Sequence, residues 1–248
     1  MAKLTWDNVG ERFYETGVEQ CVLYLYDGST KKYGGAKGKI AAWNGVTEIS
    51  ESPEGAEPTK LYANNGVYLT LMSAETLGLS LSAYMYPDEF AACDGSKEAA
   101  PGMYIGQQAR TTFGLSYKTL VGNDTNGTDG GHYKLHLVYG CLASPSEKAY
   151  ASINEDPEVE PMSWEISTTP VAVGTLTIGD EDVAFKPTAS IVIDSVDYTD
   201  DTKKGYLAAL EAVLQDDTTG ELPLPAVVYS YLTTGVAPTT GGDSGEQN

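Results

Sequence analysis

The sequence predicts a mainly β protein: an antiparallel β-sandwich or barrel with one flanking α-helix and one short helix. Tyrosine, with 17 residues, far outnumbers Phe with 4 and Trp with 3, and tyrosine, threonine and valine favour strands. Short segments of period-two alternation are separated by turn dipeptides such as Asp27-Gly28 and Asn65-Gly66. The intervals between these segments are too short for the crossovers of a parallel sheet, so the strands are expected to be antiparallel.

Nine segments are predicted strands because they alternate or are enriched in β-branched and aromatic residues. In chain order they are residues 21–26, 60–64, 67–71, 79–86, 115–121, 133–140, 149–154, 162–171 and 189–196.

Two segments carry helix signals. Residues 86–95 are predicted to form the short helix, because Pro87 suits a first turn and Gly95 an end. Residues 200–217 give the strongest helix pattern, with capping residues at the start and one apolar stripe that is expected to pack against the sheet. The stripe consists of Tyr206, Leu207, Leu210, Val213 and Leu214.

Two polar segments stand out. The glycine-rich segment 27–39 holds four of the 15 basic residues, namely Lys31, Lys32, Lys37 and Lys39. It is either an exposed hairpin tip or a docking loop for an acidic neighbour. The segment 47–60 is predicted to be an extended acidic loop, because Pro53 and Pro58 forbid a continuous helix. Its glutamates are three residues apart: Glu48, Glu51, Glu54 and Glu57.

Charge and length bound the classes of function. With 35 acidic and 15 basic residues the net charge is −20, which disfavours tight binding to the nucleic-acid backbone but allows a surface that nucleic acid passes.

We expect one domain over 1–234 and a flexible tail over 235–248. No secretory signal or membrane-spanning stretch is recognisable, so a protein made in the cytoplasm without membrane contact is expected. Three widely spaced cysteines without a CxxC pair are predicted to be buried free thiols.

The stretch 122–140 contains two patterns that resemble metal sites. Its acids depart from the calcium-loop pattern, because the positions that require an acid, a glycine and a final glutamate hold other residues. His132 and His136 are four residues apart, but Tyr133, Leu135, Leu137 and Tyr139 alternate with them as in a strand. On a strand the two histidines lie about 13 Å apart, too far to share a zinc ion. The stretch therefore predicts a hairpin whose histidines occupy a polar strand face, with no metal or other cofactor.

Catalytic signals are few. There is no GxSxG, no phosphate-binding glycine loop, and arginine occurs only at positions 12 and 110. Paired carboxylates cannot be located from sequence alone. A protein without enzymatic activity is expected.

An ordered set of segments resembles the major tail proteins of long-tailed phages that infect Gram-positive bacteria. The resemblance runs from about residue 4 to about residue 225, and departs at 27–39 and 174–185, which look like local loop elaborations. The segments are "LTWDNVGERFYETGV", "WNGVTEISESPEGAEPTKLYANN", "YPDEFAACDGS", "PGMYIGQQAR", "FGLSYKTLVGNDT", "HYKLHLVYG", "SPSEKAYASIN" and "SWEISTTPV".

The resemblance implies a structural protein of the virion tail. Subunits of such proteins form hexameric rings that stack into a tube, and DNA passes through the lumen without specific binding. The implied partners are other copies of the chain and the terminator, tape-measure and baseplate-proximal tail proteins. The four lysines of 27–39 then become candidates for a contact between rings, and the four glutamates of 47–60 for the lumen or an interface.

Two alternatives stay open. The first is a soluble binding module or adhesin with the same β architecture. The second, less favoured, is a hydrolase that uses paired carboxylates.

Overall fold

The computed structural model describes residues 4–55, 57–73, 75–150, 152 and 159–238. The strands are β1 Phe13–Asp27, β2 Lys32–Gly34, β3 Ile40–Ala42, β4 Val46–Gly55, β5 Pro58–Ala63, β6 Gly66–Met72, β7 Glu75–Ala83, β8 Lys97–Ala100, β9 Met103–Ile105, β10 Phe113–Asn123, β11 Gly127–Ala143, β12 Met162–Thr168, β13 Gly174–Ile178, β14 Glu181–Phe185, β15 Ser190–Asp194 and β16 Glu221–Leu222. The helices are α1 Asp201–Gln215 and α2 Pro225–Thr234, with 3₁₀ turns at Asp88–Ala92 and Ser195–Asp197.

One antiparallel sheet organises the molecule. Its strand order is β16-β2-β1-β10-β11-β12-β7-β4, while β3 pairs with β1 and β15 pairs with β11. The sheet is strongly curved, because β4 at one end contacts β1 and because strands along the whole curve contribute to one shared core. The observed architecture is therefore mainly β with flanking helices, as the sequence predicts.

Two cores lie on opposite faces of the curved sheet. The inner core is enclosed by the curve and includes Leu23, Leu81, Leu115, Val138 and Trp164. The outer core lies between the sheet and the two helices and includes Tyr24, Leu137, Tyr139, Leu210 and Val228. Strands β1 and β11 contribute apolar side chains to both cores, and the central residues of β1, β10 and β11 are buried on both faces.

Helix α1 follows its sequence signals closely. Asp200 is the N-cap, and its carboxylate accepts a hydrogen bond from the backbone N–H of Lys203 at 2.8 Å. Within the predicted apolar stripe, Leu207, Leu210 and Leu214 are buried in the outer core. The buried Tyr24 hydroxyl donates to the carbonyl of Leu214 at 2.7 Å, which ties the end of α1 to the sheet.

Several sequence-based assignments are wrong. The structure has two flanking α-helices rather than one, because α2 forms between Pro225 in its first turn and Gly235, whose φ of 77° ends it. The segment 47–60 is no loop: it contains β4 and the start of β5. The segment 174–185 is the β13–β14 hairpin rather than a loop, and β2 lies within 27–39.

Most other assignments are confirmed. The predicted strands at 21–26, 60–64, 67–71, 79–86, 115–121, 133–140, 162–171 and 189–196 all correspond to observed strands, with ends displaced by a few residues. The short helix is the 3₁₀ turn Asp88–Ala92. Of the predicted strand 149–154, residues 149, 150 and 152 are described and belong to no strand, and the other three lie outside the described residues, as does the predicted tail beyond residue 238.

The three cysteines are buried free thiols in the inner core, as predicted. Burial raises the pKa of Cys21 and of Cys93 to about 12. These thiols therefore stay protonated at neutral pH and act as small apolar side chains.

Candidate functional site: an exposed arm and a polar cluster near its base

Strands β5 and β6 form a hairpin, residues 58–72, that we call the arm. Their register runs from the pair Pro58–Met72 to the pair Ala63–Gly66. Asn64 and Asn65 close the turn with φ values of 50° and 62°. Two successive positive φ values match the type I′ turn, whose twist suits a tight hairpin. The local sequence thus determines the arm's own pairing.

The arm is exposed on both of its faces. All fifteen of its residues are exposed, although the sequence at its centre is typical of a pair of half-buried strands. Tyr62 keeps 70% and Tyr68 76% of its surface in water. The large apolar side chains involved are Leu61, Tyr62, Val67, Tyr68, Leu69, Leu71 and Met72. An isolated two-stranded hairpin is marginal in water, and concentrated exposed apolar surface marks an interaction site.

The arm extends directly from the curved sheet. The β4–β7 ladder pairs residues from Val46–Ala83 to Gly55–Glu75. Only two residues on each side, 56–57 and 73–74, separate this ladder from the arm. The position of β4 therefore governs where the arm begins.

A set of polar side chains lies beside β4 at the edge of the inner core. We call it the polar cluster; it consists of Glu15, Glu51, Tyr117, Thr119, Lys134 and His136. These residues come from four strands: β1, β4, β10 and β11. The cluster therefore joins β4 to the opposite wall of the curved sheet.

His136 is the centre of the polar cluster. Its ring is buried and stacks on the Tyr117 ring, with centroids 4.7 Å apart and planes within 5°. Its Nε2 lies 3.0 Å from Thr119 Oγ1 and 3.5 Å from Glu15 Oε1. Its Nδ1 lies 3.5 Å from Glu51 Oε1. The imidazole is thus placed between two carboxylates.

The partners of these carboxylates hold them in the charged form. The contact with His136, assisted by the hydrogen bond from Tyr117, keeps the pKa of Glu51 below its usual value despite desolvation. Desolvation raises the pKa of Glu15, but hydrogen bonds from Lys134 and Thr119 outweigh it and leave that pKa lowered. Burial and the nearby Glu51 charge raise the pKa of Tyr117, so its hydroxyl remains a donor.

The four lysines of the candidate contact loop are not equivalent. Lys32 Nζ lies 2.8 Å from Glu221 Oε2, and Lys39 pairs with Asp27. These two ion pairs lie within the chain itself. Lys31 and Lys37 are exposed and form no ion pair in the part of the chain that the structure describes.

The four glutamates of 47–60 do not form one acidic surface. Glu48 accepts a hydrogen bond from the Ser50 hydroxyl at 2.8 Å, whereas Glu51 belongs to the polar cluster. Glu54 lies near the end of β4 and Glu57 at the start of the arm, both exposed. A spacing of three residues places successive glutamates of β4 on opposite faces, because a strand has period two.

The predicted hairpin over 122–140 is confirmed, but the prediction that one of its faces is polar is wrong. The turn residues Thr125 and Asn126 donate their backbone N–H groups to the Asn123 side chain, and Gly127 has a φ of 58°. Leu135, Leu137 and Tyr139 are buried in the outer core as predicted. His132 is exposed, but His136 and Val138 are buried on the other face, because the sheet curves around the inner core.

The acids of this hairpin have a structural role. Asp124 accepts a hydrogen bond from the Gly10 backbone at 2.9 Å and lies 3.7 Å from Arg12. These contacts hold the N-terminal segment against the hairpin. Among the described residues, no group of three or more His, Cys, Asp or Glu side chains is arranged to hold a metal ion.

Sequence reasoning missed the polar cluster. Tyr117 and Thr119 pair with His136 and Lys134 across the β10–β11 hairpin, but Glu51 joins them only because the sheet curves. The alternation "HYKLHLVYG" assigned His136 a face but gave no sign that a second core covers that face. Only the Val138 side chain, apolar on the supposedly polar face, could have signalled it.

Comparison with known proteins gives no further information about this site. No protein-family model matches the chain, and no curated protein is similar enough to be matched to it. No helix within the described ranges is both long and apolar enough to span a membrane.

Proposed function

We propose that this chain is a structural subunit that assembles with copies of itself into stacked hexameric rings, as the tail tube of a long-tailed phage. The observation that carries the proposal is the arm, whose seven large apolar side chains are exposed on both faces. Such a hairpin gains stability once another surface covers it, because each fully buried large apolar side chain contributes roughly 1.5–3 kcal/mol.

The net charge indicates that copies of the chain associate through apolar contacts rather than through ion pairs. Copies that each carry −20 repel one another, and salt screens that repulsion beyond about 8 Å at physiological ionic strength. Short-range contacts are therefore needed to overcome it. The arm offers both apolar side chains and unpaired outer edges for backbone hydrogen bonds with a neighbour.

The shape of the arm favours rings or tubes over closed dimers. A projecting hairpin that inserts against a different surface of the next copy makes a head-to-tail contact. Such contacts propagate around a ring or along a filament. An acidic tube lumen would repel DNA phosphates and let DNA slide through without adhering. Lys31 and Lys37 are the lysines of 27–39 best suited to contact acids of an adjacent ring, because Lys32 and Lys39 have partners within the chain.

A pair of matched variants tests the proposal. Tyr62→Ser combined with Tyr68→Ser removes the two most exposed aromatic residues of the arm. Tyr150→Ser combined with Ile178→Ser removes two exposed apolar residues elsewhere. Sedimentation velocity and negative-stain electron microscopy over a range of concentrations measure assembly, and circular dichroism checks the fold.

We expect the wild type and the control variant to form rings or tubes, and the arm variant to stay at the 26.4 kDa monomer. A wild-type protein that remains monomeric at every concentration and ionic strength would contradict self-assembly and favour the binding-module alternative. Tubes from a folded arm variant would instead remove the arm from the contact.

A further inference from the structure

The polar cluster fixes which nitrogen of His136 carries a proton. The Thr119 hydroxyl has one proton, and it donates that proton to Glu15 Oε1 at 2.6 Å. Thr119 Oγ1 can therefore only accept from His136, so Nε2 of His136 is protonated and donates at 3.0 Å. This assignment leaves Nδ1 directed at the Glu51 carboxylate.

The charge state of His136 then decides the contact with β4. In a neutral imidazole with a proton on Nε2, Nδ1 presents a lone pair to Glu51 Oε1, 3.5 Å away. Two electron-rich atoms repel, and Nδ1 has no hydrogen-bond partner among the described residues. A doubly protonated ring instead keeps the Nε2 bond to Thr119, which is itself bonded to Glu15 on β1, and donates from Nδ1 toward Glu51 on β4.

We propose that protonated His136 is a latch that fastens β4, and with it the base of the arm, to the opposite wall of the curved sheet, so that assembly becomes pH-dependent. The proposal rests on the proposed function, because it describes how the assembly arm is regulated. A latched β4 gives the arm a fixed starting point. A pre-oriented arm loses less conformational freedom when it binds a neighbour.

Charged and aromatic groups face the ring from several strands. Glu15 faces it from β1 and Glu51 from β4, while the Tyr117 ring from β10 offers a stacking surface for a cation. Lys134 on β11 is the opposing charge, but its ammonium is engaged 2.5 Å from Glu15 Oε2. On β15, Asp194 pairs in register with Lys134 and adds further negative potential.

The direction of the pH effect follows from the two kinds of group. The latch closes as the pH falls and His136 gains its second proton, and it opens as the pH rises. Glu51 has a lowered pKa, so its contribution persists in mild acid and is lost only when pH falls below the usual range of a carboxylate, near 4. The latch is therefore strongest where His136 is protonated and Glu51 is still charged.

Hydrogen exchange of the monomer tests the latch without depending on assembly. Amide exchange of residues 46–55 is measured by mass spectrometry at pH 5.5 and pH 8, at a concentration where the protein is monomeric, and corrected for the intrinsic effect of pH. The variants are His136→Gln and Glu51→Gln, and the matched control is His132→Gln, which replaces the exposed histidine. Long-range proton–nitrogen spectra report the protonation of each imidazole directly.

We expect β4 in the wild type and in His132→Gln to be protected about fivefold more at pH 5.5 than at pH 8, the effect of a hydrogen bond of about 1 kcal/mol. His136→Gln and Glu51→Gln should each lose that difference. If His136→Gln impairs folding because the residue is buried, Glu51→Gln still tests the latch. Equal protection at the two pH values in the wild type, or a difference that persists in Glu51→Gln, would overturn the latch.

The two proposals fail separately. A pH-dependent β4 in a wild-type protein that never assembles leaves the latch intact and contradicts the tube function. Tubes formed by a protein whose β4 is insensitive to pH contradict the latch alone.

Discussion

The β10–β11 hairpin and the arm are built alike and end up in opposite environments. Both are antiparallel pairs closed by turns that contain asparagine, and both alternate Tyr, Leu and Val with other residues. The centre of β10–β11 is buried on both faces, between the inner and the outer core. The arm is exposed on both faces.

This contrast separates two contributions to the stability of a hairpin. Turn geometry and main-chain pairing are present in both, and they are determined locally. Burial is present in only one, and it supplies most of the stability of a strand pair in water. The body of the protein should therefore be sensitive to substitutions that the arm tolerates, while the arm should matter for association.

The largest effect is expected from paired leucine truncations. Leu137→Ala removes a side chain that is 0% exposed and should lower the free energy of unfolding by about 2–5 kcal/mol. Leu69→Ala in the arm removes a side chain that is 46% exposed, and should cost less than about 1 kcal/mol. Urea unfolding of the monomer measures both. Similar losses would show that the arm is packed in solution and that the contrast between the hairpins is wrong.

A pair of glycine substitutions should have the next largest effect. Gly140 in β11 has a φ of 62°, and an added Cβ would lie 2.1 Å from the Thr169 carbonyl oxygen. Gly140→Ala should therefore destabilise by more than about 1 kcal/mol, since both the backbone angle and a backbone atom oppose it. Gly66→Ala in the arm meets no atom closer than 4.0 Å and should leave thermal stability nearly unchanged. A neutral Gly140→Ala would mean that β11 and the segment at Thr169 readily separate.

The smallest of the three effects concerns lysines. Lys118 Nζ lies 2.8 Å from Glu211 Oε1 on α1 and 4.2 Å from the centroid of the Tyr133 ring, with little exposure. Lys118→Ala leaves the partly buried Glu211 with a single hydrogen bond among the described residues, from Tyr133, and should cost about 1–3 kcal/mol in urea unfolding. Lys60→Ala, on the exposed arm, should change stability by no more than about 0.5 kcal/mol. Equal effects would argue that the Lys118 pair is as hydrated as a surface charge.

The errors of sequence reasoning have physical causes. Helix α2 is rich in Val, Tyr and Thr, which favour strands, but packing of Val228 in the outer core overrides that preference. Strand β4 contains Pro53, which suggested a loop. Proline is tolerated there because β4 is an edge strand within the described sheet and needs no second ladder.

The features of the candidate site also differ in whether the sequence could predict them. The arm's strands were predictable, since residues 60–64 and 67–71 alternate, but the turn falls at Asn64-Asn65 rather than at the predicted Asn65-Gly66. The arm's exposure was not predictable, because apolar alternation gives the same pattern whether a strand is covered or bare. The contact of β4 with the rest of the polar cluster was not predictable: Glu51 and His136 are 85 positions apart and meet only across the curved sheet.

The sequence by itself determined local features of this protein: where strands alternate, that a helix begins near residues 200–202, and a net charge of −20. These depend on backbone preferences and on residues within a few positions of one another. The tertiary structure alone decided that β11 is buried on both faces, that His136 lies between Glu15 and Glu51, and that the arm is left uncovered. Burial depends on which distant segments cover a face, and a pattern along one strand does not carry that information.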